Sequence, residues 1–390
     1  MNSPSQVAPP PPSQASRGVG EHLRQFWQRV TEGLELSQLW KQFSADARAS
    51  YRLYQRDFQA QSAQEEQKRS VWRTTQKFAW AILEKLSPAR RVLLLLGVVL
   101  LLFPSGGFTY MQESGERGTE VDFHFYGGLL LFVLLMLEVA DRVVMKRDLE
   151  IARDIQRWLL PASAPQVPGL GIAFATRPAN TVAGDYYDVF ARPQAIPGET
   201  RFLLAVADVA GKSMPAALLM ATLQASLRTL SQTRCSLREL VASMNQYSVT
   251  NSQGGLRFTT AFIAEFEPGP RRLSYINAGH NAPVVRRQSG SIERLSAGGM
   301  PLGIQEEATY ESGETVLQPG DWLLIFTDGL VEALNSSGEE YGEPRMLNVL
   351  QAGASASADE LLRRMMSDLD IFVGATPQHD DVTCMLVKVQ

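Results

Sequence analysis

The sequence predicts an α+β fold whose C-terminal part, residues 162–390, is built of stacked antiparallel sheets with helices outside them. Two observations carry this. Short β-like runs follow one another there, and the helical stretches come in pairs, so strict β-α-β alternation is absent. A third observation concerns chemistry. Apolar runs end on aspartate, as Phe202 to Ala207 does at Asp208 and Trp322 to Phe326 does at Thr327-Asp328. A carboxylate held at a sheet edge needs a partner, because an unpaired buried anion is very costly.

At 390 residues and net charge −4 the chain has room for two domains and no general attraction to nucleic acid. Cys235 and Cys384 have neither metal-ligand nor disulfide spacing and read as two buried small hydrophobes. Residues 1–20, with Pro9 to Pro12, are Ser/Pro/Gln-rich and lack an apolar run, which predicts a disordered tail and no secretory signal. Residues 21–87 are polar and nearly free of Gly and Pro, with Trp27, Trp40, Trp72 and Trp80 along them. They predict a cytoplasmic helical segment, either a small helical hairpin or an amphipathic collar at a membrane interface.

Two apolar blocks follow, Val92 to Phe103 and Phe123 to Leu137. Lys85, Arg90 and Arg91 precede the first, and Arg142, Lys146 and Arg147 follow the second. The connector carries Glu113, Glu116, Glu120 and Asp122 against Arg117. Basic flanks and an acidic connector predict a two-span membrane hairpin over 88–137, with both chain ends cytoplasmic at a cell inner membrane. The alternative is a buried helical pair, since each apolar core is short for a bilayer. Residues 138–161 predict a linker helix. Leu137, Val144, Ile151 and Trp158 recur every seven positions, which permits a homodimer through 138–160 and equally suits a helix packed on its own domain. Pro161 ends it.

In the C-terminal domain, β runs are predicted at Gly171 to Ala175, Tyr186 to Ala191, Phe202 to Ala207, Phe258 to Glu265, Arg272 to Asn277, Val284 to Arg286, Trp322 to Phe326 and Val382 to Val389. Helices are predicted at Pro215 to Ser231, Ser236 to Thr250, Glu343 to Gln351 and Ala358 to Phe372. Asp185, Asp208, Asp328 and Asp380 with Asp381 sit at the ends of such runs without matching cations, which points to hard divalent ions bound through oxygen. Two such ions can lower the pKa of a shared water and set it to attack phosphorus in line. No Gly-x-Ser-x-Gly elbow and no phosphate-cradling Gly-rich loop with Lys offers a competing chemistry.

GDYYD (184–188), ADVAGKSMPAALLMA (207–221), RFTTAF (257–262), NAGHNAP (277–283), FTDGLVEA (326–333) and HDDVT (379–383), in this order, resemble the PPM-type, protein phosphatase 2C-like serine/threonine phosphatases of the SpoIIE/RsbU branch. RDIQRWLLP (153–161) resembles the helix that leads into that domain, and the resemblance covers about 150–390. It implies a PPM-type β-sandwich flanked by helices on both faces. It implies two Mn2+ or Mg2+ ions, with Asp208 bridging both, Asp185 and the Val209 carbonyl completing one site, and Asp328 and Asp380 the other. These four aspartates would act through the metal-held water. The implied substrate is phosphoserine or phosphothreonine on a small anti-sigma-factor antagonist within a partner-switching pathway. Where many relatives carry glycine, this chain has Ala183 and Ser213, and where eukaryotic relatives carry histidine it has Ala210.

Further polar residues have two readings each. Asp188 stands either behind the metals or at a strand end, and Asp381 braces the turn or exchanges with Asp380. His280 is a hydrogen-bonding residue of its turn or an acid. Arg177 is a solvated arginine or a phosphate contact, and Lys212 is a surface lysine or steers substrate. The whole predicts a membrane-tethered, metal-dependent protein serine/threonine phosphatase set through the 138–160 helix. The alternatives are a phosphoprotein-binding module without turnover and a membrane signalling adaptor acting through 21–87.

Overall fold

The computed structural model describes residues 86–104, 106–110, 117–192, 200–251 and 257–390. The tail and the helical segment expected before residue 86 lie outside them. The chain divides into two compact units, 1–138 and 139–390.

In the first unit, helix α1 (Pro88–Leu102) is followed by a two-stranded hairpin, β1 (Gly106–Tyr110) and β2 (Arg117–Val121), and by the start of helix α2 (Phe123–Leu159). Close packing of α1 on α2 rests on two glycines: a Cβ at Gly127 would stand 2.9 Å from the Gly97 carbonyl. Arg90 also donates to Glu138 at 3.3 Å. The two-span hairpin expected over 88–137 is not supported. Among the described residues no helix is long and apolar enough to cross a membrane. The 15-residue α1 reaches about 22 Å, and the apolar part of α2 stops near Leu137, against roughly 30 Å of hydrocarbon. Of the expected acidic connector, the described residues 117–121 pair as a strand with 106–110; Glu113 and Glu116 lie outside the described residues. Helix α2 runs unbroken from the second apolar block through the linker stretch to Leu159.

The second unit is a β-sandwich. One sheet has the order β10 (Gly298–Gly299), β7 (Arg272–Ala278), β6 (Thr259–Glu267), β5 (Arg201–Val209), β4 (Tyr186–Arg192), with β11 (Gly313–Val316) also on β7. The other has the order β3 (Leu170–Arg177), β13 (Val382–Val389), β12 (Trp322–Phe326), β8 (Val284–Arg286), β9 (Ile292–Arg294). All pairs are antiparallel except the short β10–β7 contact. Helices α3 (Met214–Leu230) and α4 (Leu237–Asn251) follow β5, while α5 (Asp328–Val331), α6 (Gly342–Ala352) and α7 (Ala358–Val373) lie between β12 and β13 in the chain.

Strand alternation assigns the layers. Leu204 and Val206 of β5, Leu323 and Ile325 of β12, and Met385 and Val387 of β13 fill the space between the sheets. Their neighbours Leu203, Ala205 and Ala207 face outward under Met220, Leu223 and Leu227 of α3 and Leu240 and Met244 of α4. Trp322, Leu324 and Phe326 face the opposite way, under Met346 and Leu350 of α6 and Leu361 and Met365 of α7. The expected sandwich with helices on both faces is present. The eight expected β runs and four expected helices all form, within a few residues of the expected limits. The short strands β9 to β11 and the single-turn α5 were not anticipated, being too brief for periodicity to register.

Candidate active site

The same alternation aims the aspartates. Asp208 shares the parity of Leu204 and Val206, so at the end of β5 it points to the inter-sheet side. Asp185 shares parity with Tyr187 and Val189, whose side chains fill that layer, and stands one residue before β4. Asp381 precedes β13 in step with Met385 and Val387. Asp328 opens α5 just past β12, whose neighbour is β13. Strand ends from both sheets therefore meet at one edge of the sandwich.

Contacts tie the ends together. Thr327 Oγ donates to Asp185 at 2.9 Å and accepts from the Thr383 amide at 2.9 Å. Asp381 accepts from the Ala179 amide at 2.7 Å and the Gly184 amide at 2.6 Å, bracing the loop before Asp185. Two glycines lie at close approaches: a Cβ at Gly329 would lie 2.1 Å from the Asp381 carbonyl, which requires glycine there, and one at Gly184 would lie 3.1 Å from the Val209 carbonyl, a tight contact. Lys212 brings a cation to the rim, with Nζ 2.9 Å from Asp380 and donating to the His379 carbonyl at 2.5 Å.

The electrostatics follow from crowding. Burial, and then the Asp328, Asp380 and Asp381 charges, push Asp208 up to about 7. Burial, and then Asp208, raise Asp185 well above the carboxylate range. Asp328 is raised by burial and by Asp380, and Asp381 by burial despite its two amide donors. Carboxylates gathered so closely call for positive charge. The residues fit a hard divalent cation: every donor is oxygen, and Asp185 Oδ1 is buried without a hydrogen-bond partner. Among the described residues no three His, Cys, Asp or Glu side chains as they stand enclose an ion. Asp380 is turned to Lys212.

Other sequence-selected residues lie elsewhere. Asp188 has the opposite parity to Asp185 and is fully buried on the outer face, where Arg228 of α3 donates to it at 2.7 and 2.8 Å and Tyr186 at 2.7 Å. Arg177 is paired with Asp370 of α7. His280 is buried, with Nδ1 2.9 Å from Thr260 Oγ and its amide donating to Asn277. Burial pushes its pKa down to about 4, which keeps it neutral and suits the hydrogen-bonding role over the acid. Ala210 offers no proton donor, its backbone amide bonding the Phe258 carbonyl. Ser213, before α3, has φ 64 and ψ −148, a backbone that glycine adopts more easily. Sequence reasoning missed Thr327, Gln156 and Arg228. Thr327 lies inside the quoted FTDGL, one residue before the chosen aspartate, and was legible as the last turn residue on the inward parity of β12.

Residues 198–390 match the model of the stage II sporulation protein E (SpoIIE) family. The chain is 27% identical to phosphoserine phosphatase RsbU of Bacillus subtilis, over 63% of this chain and 70% of that protein. It is 28% identical to protein IcfG of Synechocystis, over 65% of this chain but 43% of that protein, so it spans less than half of IcfG. Among solved structures, the SiaA-PP2C domain of Pseudomonas aeruginosa superposes with TM-score 0.55 at 22% identity, over 64% of this chain and 99% of that one. The RsbU and RsbW domains of a Mycobacterium tuberculosis protein superpose with TM-score 0.50 at 25% identity, over 60% of this chain and 63% of that one.

Proposed function

We propose, for a chain whose residues 198–390 belong to the SpoIIE family of PP2C-type phosphatase domains, that it is a metal-dependent protein serine/threonine phosphatase working at the Asp185–Asp208–Asp328–Asp380 cluster. The observation that carries this is the meeting of these strand ends at one edge, with Asp208 raised to about 7 by burial and by its neighbours' charges. Such a cluster gains most from divalent cations, and Mn2+ or Mg2+ suits its all-oxygen donors. Two ions are the reading we favour. Asp185, the residue after Gly184, and the Val209 carbonyl, which lies against Gly184, would hold one; Asp328 and Asp380 would hold the other, and Asp208 would touch both. Bound there, the ions would supply a nucleophilic water and offset charge on the phosphoryl oxygens. The chain's own residues do the rest. Thr327 fixes one oxygen of Asp185, Asp381 holds the loop that presents it, and Lys212 holds Asp380 until a cation takes its place.

The proposed substrate is phosphoserine or phosphothreonine on a small anti-sigma-factor antagonist. What supports it is the resemblance to the SpoIIE/RsbU branch and the likeness to RsbU, a protein named as a phosphoserine phosphatase. Control through α2 is proposed together with a homodimer. Val144 (59% exposed), Ile151 (50%) and Trp158 (81%) form an uncovered stripe that a second copy of the helix would bury. Replacing Ile151 and Trp158 with Ala should alter turnover and oligomer size together; if neither changes, the dimer switch is wrong.

The test of the function is phosphate release from a phosphoserine peptide by the full chain, with Mn2+, Mg2+ or chelator. Turnover should require the metal and fall at least about a hundredfold in Asp208→Ala, the scale of losing a main electrostatic group. Binding of the phosphopeptide with no metal-dependent release would favour a binding module instead.

A further inference from the structure

We propose that Gln156 is a positioning residue through which helix α2 sets the loop carrying Asp185; the inference rests on the phosphatase reading of that site. Gln156 is 7% exposed, in the last turn of a helix whose neighbouring Ile155 (47%) and Trp158 (81%) are open to solvent. Its Nε2 donates to the Ala183 carbonyl at 2.7 Å, and its Oε1 accepts from the Ala183 amide at 3.0 Å. One side-chain amide thus takes both backbone groups of a single residue, as a neighbouring strand would. The residue type is specified by this pairing. Glutamate cannot donate, leucine can do neither, and asparagine is one methylene shorter.

The partner's position gives the contact its meaning. Ala183 is followed by Gly184, whose amide is held by Asp381, and then by Asp185, held by Thr327. The loop is gripped on one side by Asp381, beside Asp380, and on the other by the helix. Gln156 is therefore a direct link between α2 and the approach to the aspartate cluster. Hydrogen bonds of this kind are directional. A turn of the helix by a single residue, about 100°, would carry the amide away from Ala183 and free the loop to move. The apolar stripe and the polar grip lie on one rigid rod, so whatever packs on the stripe can act on the loop.

The test compares Gln156→Leu and Gln156→Glu with the unaltered full chain. Three quantities are read: amide hydrogen exchange over 179–185, Mn2+ affinity by titration calorimetry, and kcat and KM for an aryl phosphate. For Gln156→Leu the expectation is faster exchange at 183–184 and Mn2+ bound about tenfold or more weakly, as for residues that orient metal ligands. The kcat should drop while KM stays unchanged. Gln156→Glu keeps the acceptor for the Ala183 amide and should fall between; it also serves if Gln156→Leu fails to fold. A purely structural role would lower the melting temperature and leave the Mn2+ affinity of the folded protein alone. Exchange and Mn2+ affinity equal to the unaltered chain in both variants would overturn the proposal. If the unaltered chain shows no turnover, the phosphatase reading fails, while exchange and Mn2+ affinity still decide the part played by Gln156.

Discussion

Arg228→Met should destabilise the protein more than Asp188→Asn, although the two residues form one ion pair. Asp188 is fully buried, and its side chain is held by two bonds from Arg228 and one from the Tyr186 hydroxyl. Arg228 lies with its guanidinium carbon 4.0 Å from the centre of the Phe190 ring and keeps 42% of its side chain in solvent. Removing the arginine strands a carboxylate in the interior, where breaking a buried pair costs roughly 3–5 kcal/mol. The exposed side of the pair is screened by water, which places the expected loss near the lower end, about 3 kcal/mol. Removing the charge of Asp188 leaves an arginine that can turn to water, at a cost of about 1–2 kcal/mol. The double variant should lose less than the sum, because a neutral amide at position 188 needs no counter-charge. Urea unfolding of the full chain, followed by circular dichroism with an unchanged slope, reads all three. Equal losses, or a larger loss for Asp188→Asn, would refute the reasoning.

Ser213→Gly should raise stability by about 1 kcal/mol, because the positive φ at this position strains any side chain by roughly 1–3 kcal/mol, less the entropy that glycine adds to the unfolded state; thermal melting reads it. Gly329→Ala places a Cβ against the Asp381 carbonyl and should cost about 1–3 kcal/mol while weakening Mn2+ binding. Asp208→Asn in chelator should be more stable than the unaltered chain at pH 8, by roughly 2–4 kcal/mol. The sign follows from the raised pKa: protonated Asp208 favours the folded state, and that contribution is full below about 4 and lost as pH rises through about 7. The advantage of the variant should therefore vanish toward about pH 4, and a difference independent of pH would contradict it.

Much of the second unit was legible because its strands are long enough to alternate. In β5 and β12 the period of two, run to the end of the strand, predicts where Asp208 and Thr327 point. The same rule applied to β4 separates Asp185 from Asp188, a distinction that motif proximity alone obscured. What could not be read was the partner of each polar group. Arg177 finds Asp370, and Gln156 finds Ala183, across long stretches of chain. No local pattern encodes such pairs, since they depend on how sheets and helices stack. Apolar length misled in the first unit. Two hydrophobic blocks with basic flanks fit a membrane hairpin, yet between them residues 106–110 pair with 117–121 as strands, and Gly97 and Gly127 let the helices pack closely.

The central claim is that the Asp185, Asp208, Asp328 and Asp380 carboxylates form one divalent-cation cleft. Anomalous diffraction from crystals of the full chain grown with Mn2+ tests it directly. The account predicts two manganese peaks in contact with Asp208, one also on Asp185 and the other also on Asp328 and Asp380, with Lys212 released from Asp380. Manganese bound elsewhere, or an Asp208 carboxylate without a peak beside it at saturating Mn2+, would contradict it.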